Sequence, residues 1–333
     1  MTVYNDFTKI TNPRYYRNTN GSLLSWEDYW PPLFRMEEGD TLSKTFVSSN
    51  SVPSKDILEN LLPHEVAAIE EIARSKFLTS FQIFQFLNLR GYSVSHTALK
   101  EILYKLVELK VLQEYTLSNS DDSLTCCYCL DRKGCTIAQL CGILFHSGNR
   151  FTDLASRKDL CYAYAPRDIK RTLLGNQIII NLLLGNCKMQ EFGMLKAFAP
   201  VIFQGDDELS IYYCASYITV SSDSVLVFDV IRDDDKSLFS MLNRLKQYYN
   251  ILHTDEYLNY QDVNAYPQLI LCGENLDCNM KFARLMKASD LWREEDPVLF
   301  TEDSLLYQTP LQAFYTLDDS KQTWYELPEN ISL

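Results

Sequence analysis

One acidic residue of this chain occupies a position where a catalytic carboxylate could stand. Asp229 follows the apolar run 225–228 in the stretch VLVFDVIR, which predicts that it sits near the end of a buried strand. Metal-dependent nucleases use a carboxylate on such a strand, with a lysine two residues later, to hold a divalent cation and activate water. Here Ile231 occupies the lysine position, and Arg232 would point to the opposite face of the strand. Asp229 is therefore only a vestigial candidate, and we predict no catalytic residue.

Cysteine and histidine are the other residue types that could carry chemistry. Five of the ten cysteines lie close together, at Cys126, Cys127, Cys129, Cys135 and Cys141. A structural zinc site needs two closely spaced pairs, and only Cys126 and Cys129 have that spacing. Strand alternation would place Cys127 and Cys129 on one face and Cys126 on the other, which favours buried thiols. Metal binding by residues 126–141 stays open as the alternative.

No cofactor is predicted. The four histidines are far apart in the sequence, none of them in a metal-binding spacing, and there is no glycine-rich phosphate loop.

One predicted helix carries polar side chains that could bind DNA. Residues 95–110 read SHTALKEILYKLVELK, with Ser95 as the expected N-cap. The inward face would comprise Leu99, Ile102, Leu103, Leu106 and either Val107 or Leu109. The DNA-binding candidates on the outward face are His96, Thr97, Lys100, Tyr104 and Lys105, together with Arg132 and Lys133 beyond the next hairpin. Lysines would meet phosphates, and His96 and Thr97 would reach base edges. The alternative is an ordinary solvated face.

The elements around this helix predict a winged helix-turn-helix domain over residues 56–145. Helices are expected from Pro63, from Thr79 or Ser80 to Gly91, and from Ser95 onward. A β-hairpin, LQEYTL and LTCCYCLD, then follows, and three helices before a hairpin is the order of a winged helix. Residues 1–55 are expected to form an aromatic arm and a serine-rich linker.

Residues 166–333 are predicted to form a second, α/β domain, so that the fold class is α+β. A helix at 167–186, strands ending in VLVFDVIR and an amphipathic helix that begins with the three aspartates at 233–235 lead to the buried strand YPQLILCG. The aspartates are explained as the acidic first turn of that helix. The C-terminal 45 residues are acidic and aromatic, which fits either an interface or a completed core, and we expect Trp292 and Trp324 to lie in the core.

This order of elements resembles the replication-relaxation family, which is encoded on plasmids and integrative conjugative elements. The resemblance covers roughly residues 60–270 and rests on element order. It implies a DNA-binding winged helix followed by a domain similar to the PD-(D/E)xK, or restriction-endonuclease-like, fold. In an active member of that fold an acidic residue would stand about where Tyr217 stands, and a lysine would replace Ile231. We therefore expect a degenerate, inactive nuclease domain.

Charge separates the remaining alternatives. The chain of 333 residues has a net charge of −13, which argues against broad, non-specific binding of nucleic acid. Between residues 63 and 115, six basic residues balance six acidic ones, whereas a DNA reader usually has a basic excess.

Three hypotheses follow. The first is a non-catalytic factor of a mobile genetic element that binds double-stranded DNA; the second is an acidic adaptor or inhibitor of a basic protein partner; the third and weakest is a metal-dependent nuclease. With no apolar leader and no apolar run long enough to span a bilayer, a cytoplasmic location and no membrane contact are expected.

Overall fold

The computed structural model describes residues 41–48, 51–118, 124–143, 166–185, 187, 189–194, 197–198, 211–221, 224–261, 265–294, 297–308, 310–318 and 321–325. The fold is mixed α+β, as the sequence predicts. The chain divides into two compact units, Met1–Ile180 and Asn181–Leu333. Among the described residues, no helix is both long and apolar enough to cross a bilayer.

The first unit combines helices with a four-stranded sheet. Its elements are β1 (Thr41–Lys44), α1 (Ser54–Glu59), α2 (Pro63–Ser75), β2 (Leu78–Thr79), α3 (Ser80–Leu89), α4 (His96–Glu108), β3 (Leu112–Ser118), β4 (Leu124–Leu130) and α5 (Arg132–Leu140). The strands lie in the order β1-β3-β4-β2, and all their pairs are antiparallel. The three helices and the hairpin predicted from the sequence are therefore present.

Local signals explain where these helices begin. Pro63 opens α2, where its missing N–H costs nothing. The side chain of Thr79 accepts a hydrogen bond from the backbone N–H of Gln82, and Ser95 does the same for Ala98, which confirms both predicted N-caps. The predicted inward face of α4 is confirmed too, with Val107 rather than Leu109 completing it: Leu99 and Leu106 are fully buried.

One prediction for the first unit was incomplete. The serine-rich segment expected to be only a linker contains β1, which pairs with β3 in the register Thr41↔Ser118 to Lys44↔Tyr115. Its side chains are mostly exposed, so the strand is held by backbone hydrogen bonds and leaves no apolar alternation in the sequence.

A long helix, α6 (Pro166–Leu184), contains the residue at which the two units divide. Its first half belongs to the first unit. Asn176 donates its side-chain amide to the carbonyl oxygens of Ser75 and Phe77, and Gln82 donates to the carbonyl of Leu173 at 2.8 Å. The buried amide of Asn176 thus binds backbone carbonyls at and just beyond the end of α2, and that of Gln82 binds a carbonyl of α6.

The second unit is built on a seven-stranded sheet. Its elements are β5 (Glu191–Met194), β6 (Ala197–Phe198), β7 (Tyr212–Tyr213), β8 (Ser216–Ser221), β9 (Ser224–Val230), α7 (Asp235–Leu252), α8 (Asp255–Gln261), β10 (Gln268–Gly273), α9 (Leu276–Ala288), β11 (Leu299–Glu302), α10 (Asp303–Gln308), β12 (Phe314–Asp318) and β13 (Lys321–Tyr325), with a 3₁₀ turn at Pro310–Gln312. The sheet order is β13-β12-β11-β10-β9-β8-β5, and β6 pairs with β7 separately.

Strand direction changes across this sheet. The strands β9, β10 and β11 are parallel, and α7 and α9 lie in the connections between them. The remaining pairs are antiparallel. Apolar residues of α7 and α9 form one buried cluster with residues of the sheet such as Val227, Leu269 and Phe300. After α9, β11 is followed directly by α10, and β12 and β13 extend the sheet beyond β11.

Candidate functional site

The exposed face of α4 is the first candidate site. Thr97, Lys100, Glu101, Tyr104 and Glu108 are exposed on it. The side chain of His96 lies outside the described residues. Tyr104 is 66% exposed. A hydrogen bond between the Tyr104 hydroxyl and the Glu108 carboxylate raises the pKa of the phenol. The structure therefore exposes three of the predicted DNA-binding residues, Thr97, Lys100 and Tyr104, on α4, together with the acidic residues Glu101 and Glu108.

Lys105 has a partner within its own unit. Its ammonium group lies 2.8 and 3.0 Å from the two carboxylate oxygens of Glu65, which is 2% exposed. The same carboxylate accepts the backbone N–H of Leu62 at the start of α2. Lys105 thus compensates a buried charge and ties α4 to α2. Its positive charge is largely neutralised on the α4 face.

Arg132 and Lys133 lie at the other end of this helix. The register Leu112↔Leu130 and the hydrogen bond from the N–H of Asp131 to the carbonyl of Val111 place them beside the C-terminal end of α4. Thr97 is eleven residues before the last residue of α4, about 16 Å along the axis. Lys133 also donates to the carbonyl of Val52 at 2.7 Å. The predicted wing acids Asp121 and Asp122 lie outside the described residues.

The cysteines of β4 follow strand alternation as predicted. Cys127 and Cys129 are buried, whereas Cys126 is exposed. Burial is the main cause that raises the pKa of all three thiols. Such thiols stay protonated at neutral pH and are poor nucleophiles. In the part of the chain that the structure describes, no three His, Cys, Asp or Glu side chains are grouped to hold a metal ion.

Asp229 on β9 forms a buried ion pair. Its carboxylate is fully buried, and the Nε atom of Arg244 on α7 donates to its Oδ2 atom at 2.9 Å. Its Oδ1 atom accepts the backbone N–H of Val230 at 2.9 Å and lies 3.4 Å from Nη2 of Arg244. Both oxygens therefore have protein donors. Arg244 was not anticipated, because its partner is 15 residues away across a strand-to-helix connection.

Tyr217 and Ile231, at the positions where the resemblance implies an acidic residue and a lysine, also differ from the residues of a metal site. Tyr217 lies on β8, beside β9, and pairs with Val227. Its hydroxyl donates to Oε1 of Glu191 at 2.6 Å, and burial followed by this hydrogen bond raises the pKa of the phenol. Ile231 is fully buried within the apolar cluster. The acidic residues Asp206, Asp207 and Glu208 lie outside the described residues.

Arg232 has a structural role of its own at the ends of the parallel strands. It is 1% exposed, and its guanidinium donates to Oδ1 of Asp303 at 3.1 Å and to the carbonyl of Ile231. Burial works to lower the pKa of this arginine, but the charge of Asp303, its hydrogen bond to the guanidinium and the charges of Cys272 and Glu274 together outweigh burial and raise the pKa. Arg232 is therefore directed towards Asp303 and does not replace the missing lysine.

Trp292 and Trp324, the two aromatic residues predicted to lie in the core, differ in their burial. Trp292 is partly buried, with the ammonium of Lys287 4.8 Å from its ring centroid. Trp324 is 51% exposed, so the prediction that it lies in the core was wrong. It lies on β13 at the edge of the sheet, where one of its faces meets Tyr315 at 5.4 Å between centroids.

Comparison with protein-family models, with curated proteins and with solved structures gave no match.

Proposed function

We propose that the first unit carries a winged-helix module that binds double-stranded DNA as a regulatory factor. The observation that carries the proposal is the order α2–β2–α3–α4–β3–β4, with β2, β4 and β3 paired side by side and one face of α4 exposed. In winged helices the third helix enters the major groove, and residues of its first turns meet base edges. Thr97 and Lys100 occupy those turns.

The electrostatics of α4 predict recognition with few phosphate contacts. Lys105 is paired with Glu65, Glu101 follows Lys100 directly, and Glu108 is exposed two turns further along α4. Each phosphate contact contributes about −0.9 to the slope of log affinity against log salt. With one to three such contacts, from Lys100, Arg132 and Lys133, we expect a slope between about −1 and −3.

The second unit supports a non-catalytic function. The order on which the family resemblance rests, a helix and then a hairpin that leads into an amphipathic helix, corresponds to α6, β8–β9 and α7. At the position of the expected metal ligand, both oxygens of Asp229 are held by protein donors. The resemblance also suggests the DNA target, namely the origin or promoters of the mobile element that encodes the chain.

A gel-shift titration with those DNA segments tests the proposal. Lys100→Glu should weaken specific binding strongly, because it removes a phosphate contact and places a third acidic group on the α4 face. Lys55→Glu, at an exposed lysine of α1, is the matched control and should change affinity little. Equal affinities of Lys100→Glu and the wild-type chain would show that α4 is not the recognition helix.

A basic protein partner is the second candidate, and a specific observation favours it. The exposed ring of Tyr104 is flanked by Glu101 and Glu108 on the same face, and aromatic residues are common anchors of protein interfaces. A photo-cross-linking amino acid placed at position 104 would decide between the two. Cross-links to DNA support the first candidate, and cross-links to one basic protein without nucleic acid support the second.

A further inference from the structure

The outer surface of α7 and α9 is basic in a chain that is strongly acidic. The chain has a net charge of −13. Within α7, Lys236 and Lys246 are exposed and outnumber Asp235, whereas Arg244 is engaged with the buried Asp229; within α9, Lys281, Arg284 and Lys287 outnumber Asp277. Both aspartates lie in first turns, where the helix dipole favours them. On a chain with this net charge, a helix surface that only faces solvent would be expected to carry equal numbers of both charges or an acidic excess.

These side chains belong to one continuous face. Lys281 of α9 lies 2.9 Å from Asp233 and 3.6 Å from Asp235, so the start of α7 is beside the second turn of α9. The two helices connect consecutive parallel strands and share one buried cluster. They therefore run in the same direction, about 10 Å apart as packed helices do. Lys246 and Arg284 are exposed on this α7–α9 face.

The uncharged exposed residues of the α7–α9 face are also of types that can contact nucleic acid. Phe239 is 59% exposed on α7, between Lys236 and Asn243 on the same stripe. Ser240 and Asn243 are exposed neutral residues that can donate hydrogen bonds to phosphate oxygens. A positively charged surface with an exposed aromatic ring is the combination by which proteins hold unpaired nucleotides, since cations follow the backbone and a base stacks on the ring.

We propose that the α7–α9 face binds single-stranded nucleic acid, with Lys246 and Arg284 contacting phosphates and Phe239 stacking on a base. This interaction is separate from duplex recognition by α4, because the two surfaces lie in different units. It would supply, in the second unit, the phosphate contacts that the α4 face largely lacks.

Fluorescence anisotropy with a labelled oligothymidylate and the full chain tests this proposal. Lys246→Glu with Arg284→Glu should weaken binding and make the salt slope less steep by about 1.4, because each phosphate contact on a single strand contributes about −0.7. Phe239→Ala should weaken binding about fivefold or more without changing the slope. Lys44→Glu with Lys55→Glu changes the net charge equally at exposed sites of the first unit and should have little effect.

Several outcomes would overturn the proposal. One is equal weakening by the control pair, which would indicate a general charge effect. Another is that unlabelled duplex DNA or polyglutamate displaces the labelled oligothymidylate as strongly as unlabelled oligothymidylate does, while Phe239→Ala has no effect. Circular dichroism of each variant verifies that the exposed substitutions leave the fold intact. Lys100→Glu should leave oligothymidylate binding unchanged, so that failure of the α4 proposal is recognised separately.

Discussion

Replacing Asp229 by alanine is expected to destabilise the contact between β9 and α7 rather than to remove an activity. The Asp229 carboxylate is fully buried and the Arg244 side chain is 19% exposed. Removing one partner of a buried pair typically costs about 3–5 kcal/mol, because the other charge stays buried and uncompensated. Arg244 keeps hydrogen-bond partners in Ser240 and the carbonyl of Val230. We therefore expect the lower end, about 3 kcal/mol.

The reverse substitution, Arg244→Met, should cost at least as much. It leaves a carboxylate with 0% exposure without its arginine partner. The double variant Asp229→Ala with Arg244→Met should cost much less than the sum of the two single costs. A coupling free energy of about 2–3 kcal/mol is expected for residues in direct contact.

Native-state hydrogen exchange read by mass spectrometry is the suitable assay. The chain has two compact units, and whole-chain unfolding of such a protein need not be two-state. Exchange reports the opening free energy of β9 and α7 peptides directly, and peptides of the first unit serve as an internal reference. Lys281→Ala is the control, because it breaks a pair with Asp233 in which both side chains are about half exposed, and it should cost less than about 1 kcal/mol.

The reasoning would be refuted if Asp229→Ala left exchange of β9 and α7 unchanged. It would be refuted more sharply if the wild-type chain cleaved DNA in the presence of magnesium or manganese and Asp229→Ala abolished the cleavage. Asp229 would then be a metal ligand, and its pairing with Arg244 would describe only the resting enzyme.

Two further predictions concern other buried groups. Burial, partly offset by Arg74 and Arg90, raises the pKa of Glu71 from 4.5 to about 7. The stability linked to its protonated form is present below pH 4.5 and is lost as pH rises through about 7. The free energy of unfolding of the first unit, measured with urea, should therefore fall by about 3 kcal/mol between pH 4.5 and about 7, relative to the Glu71→Gln variant. The same pH dependence in both proteins would contradict this. A Cβ atom at Gly273 would lie 2.1 Å from Oδ1 of the buried Asn279, so Gly273→Ala should cost about 1–3 kcal/mol by hydrogen exchange of α9. Shortening Asn279 to serine in that background should recover part of the loss, and no recovery would locate the strain elsewhere.

The elements of this fold could be predicted where one residue and its near neighbours determine them. Ser95 and the apolar spacing after it identify α4 because a cap and a 3.6-residue period act within one helix. The start of α7 was predictable for the same reason, but of the three aspartates expected in its first turn only Asp235 lies there. Asp234 is the N-cap, which accepts the N–H of Ser237, and Asp233 precedes the helix. The exposed strand β1 was not predictable, because its side chains carry no apolar alternation.

The partners of the candidate residues could not be predicted, because tertiary packing selects them. Lys105 meets Glu65 across 40 residues, and Arg232 meets Asp303 across 71. Nothing in local spacing distinguishes a lysine that faces solvent from one that neutralises a buried carboxylate on another helix. The outward position of Lys105 follows from the helical period, whereas its availability to phosphate depends on the position of α2.

The residues around Asp229 support one another as parts of a structural core. A lysine in place of Ile231 would put an ammonium group into a fully buried apolar cluster, which costs several kcal/mol without a paired anion. Asp229 is already neutralised by Arg244, and on β8 the phenol of Tyr217 is bonded to Glu191. A lysine placed at position 231 would therefore find the carboxylate of Asp229 already paired. Ile231, Tyr217 and Arg244 are mutually consistent, and with them Asp229 forms a buried ion pair between β9 and α7.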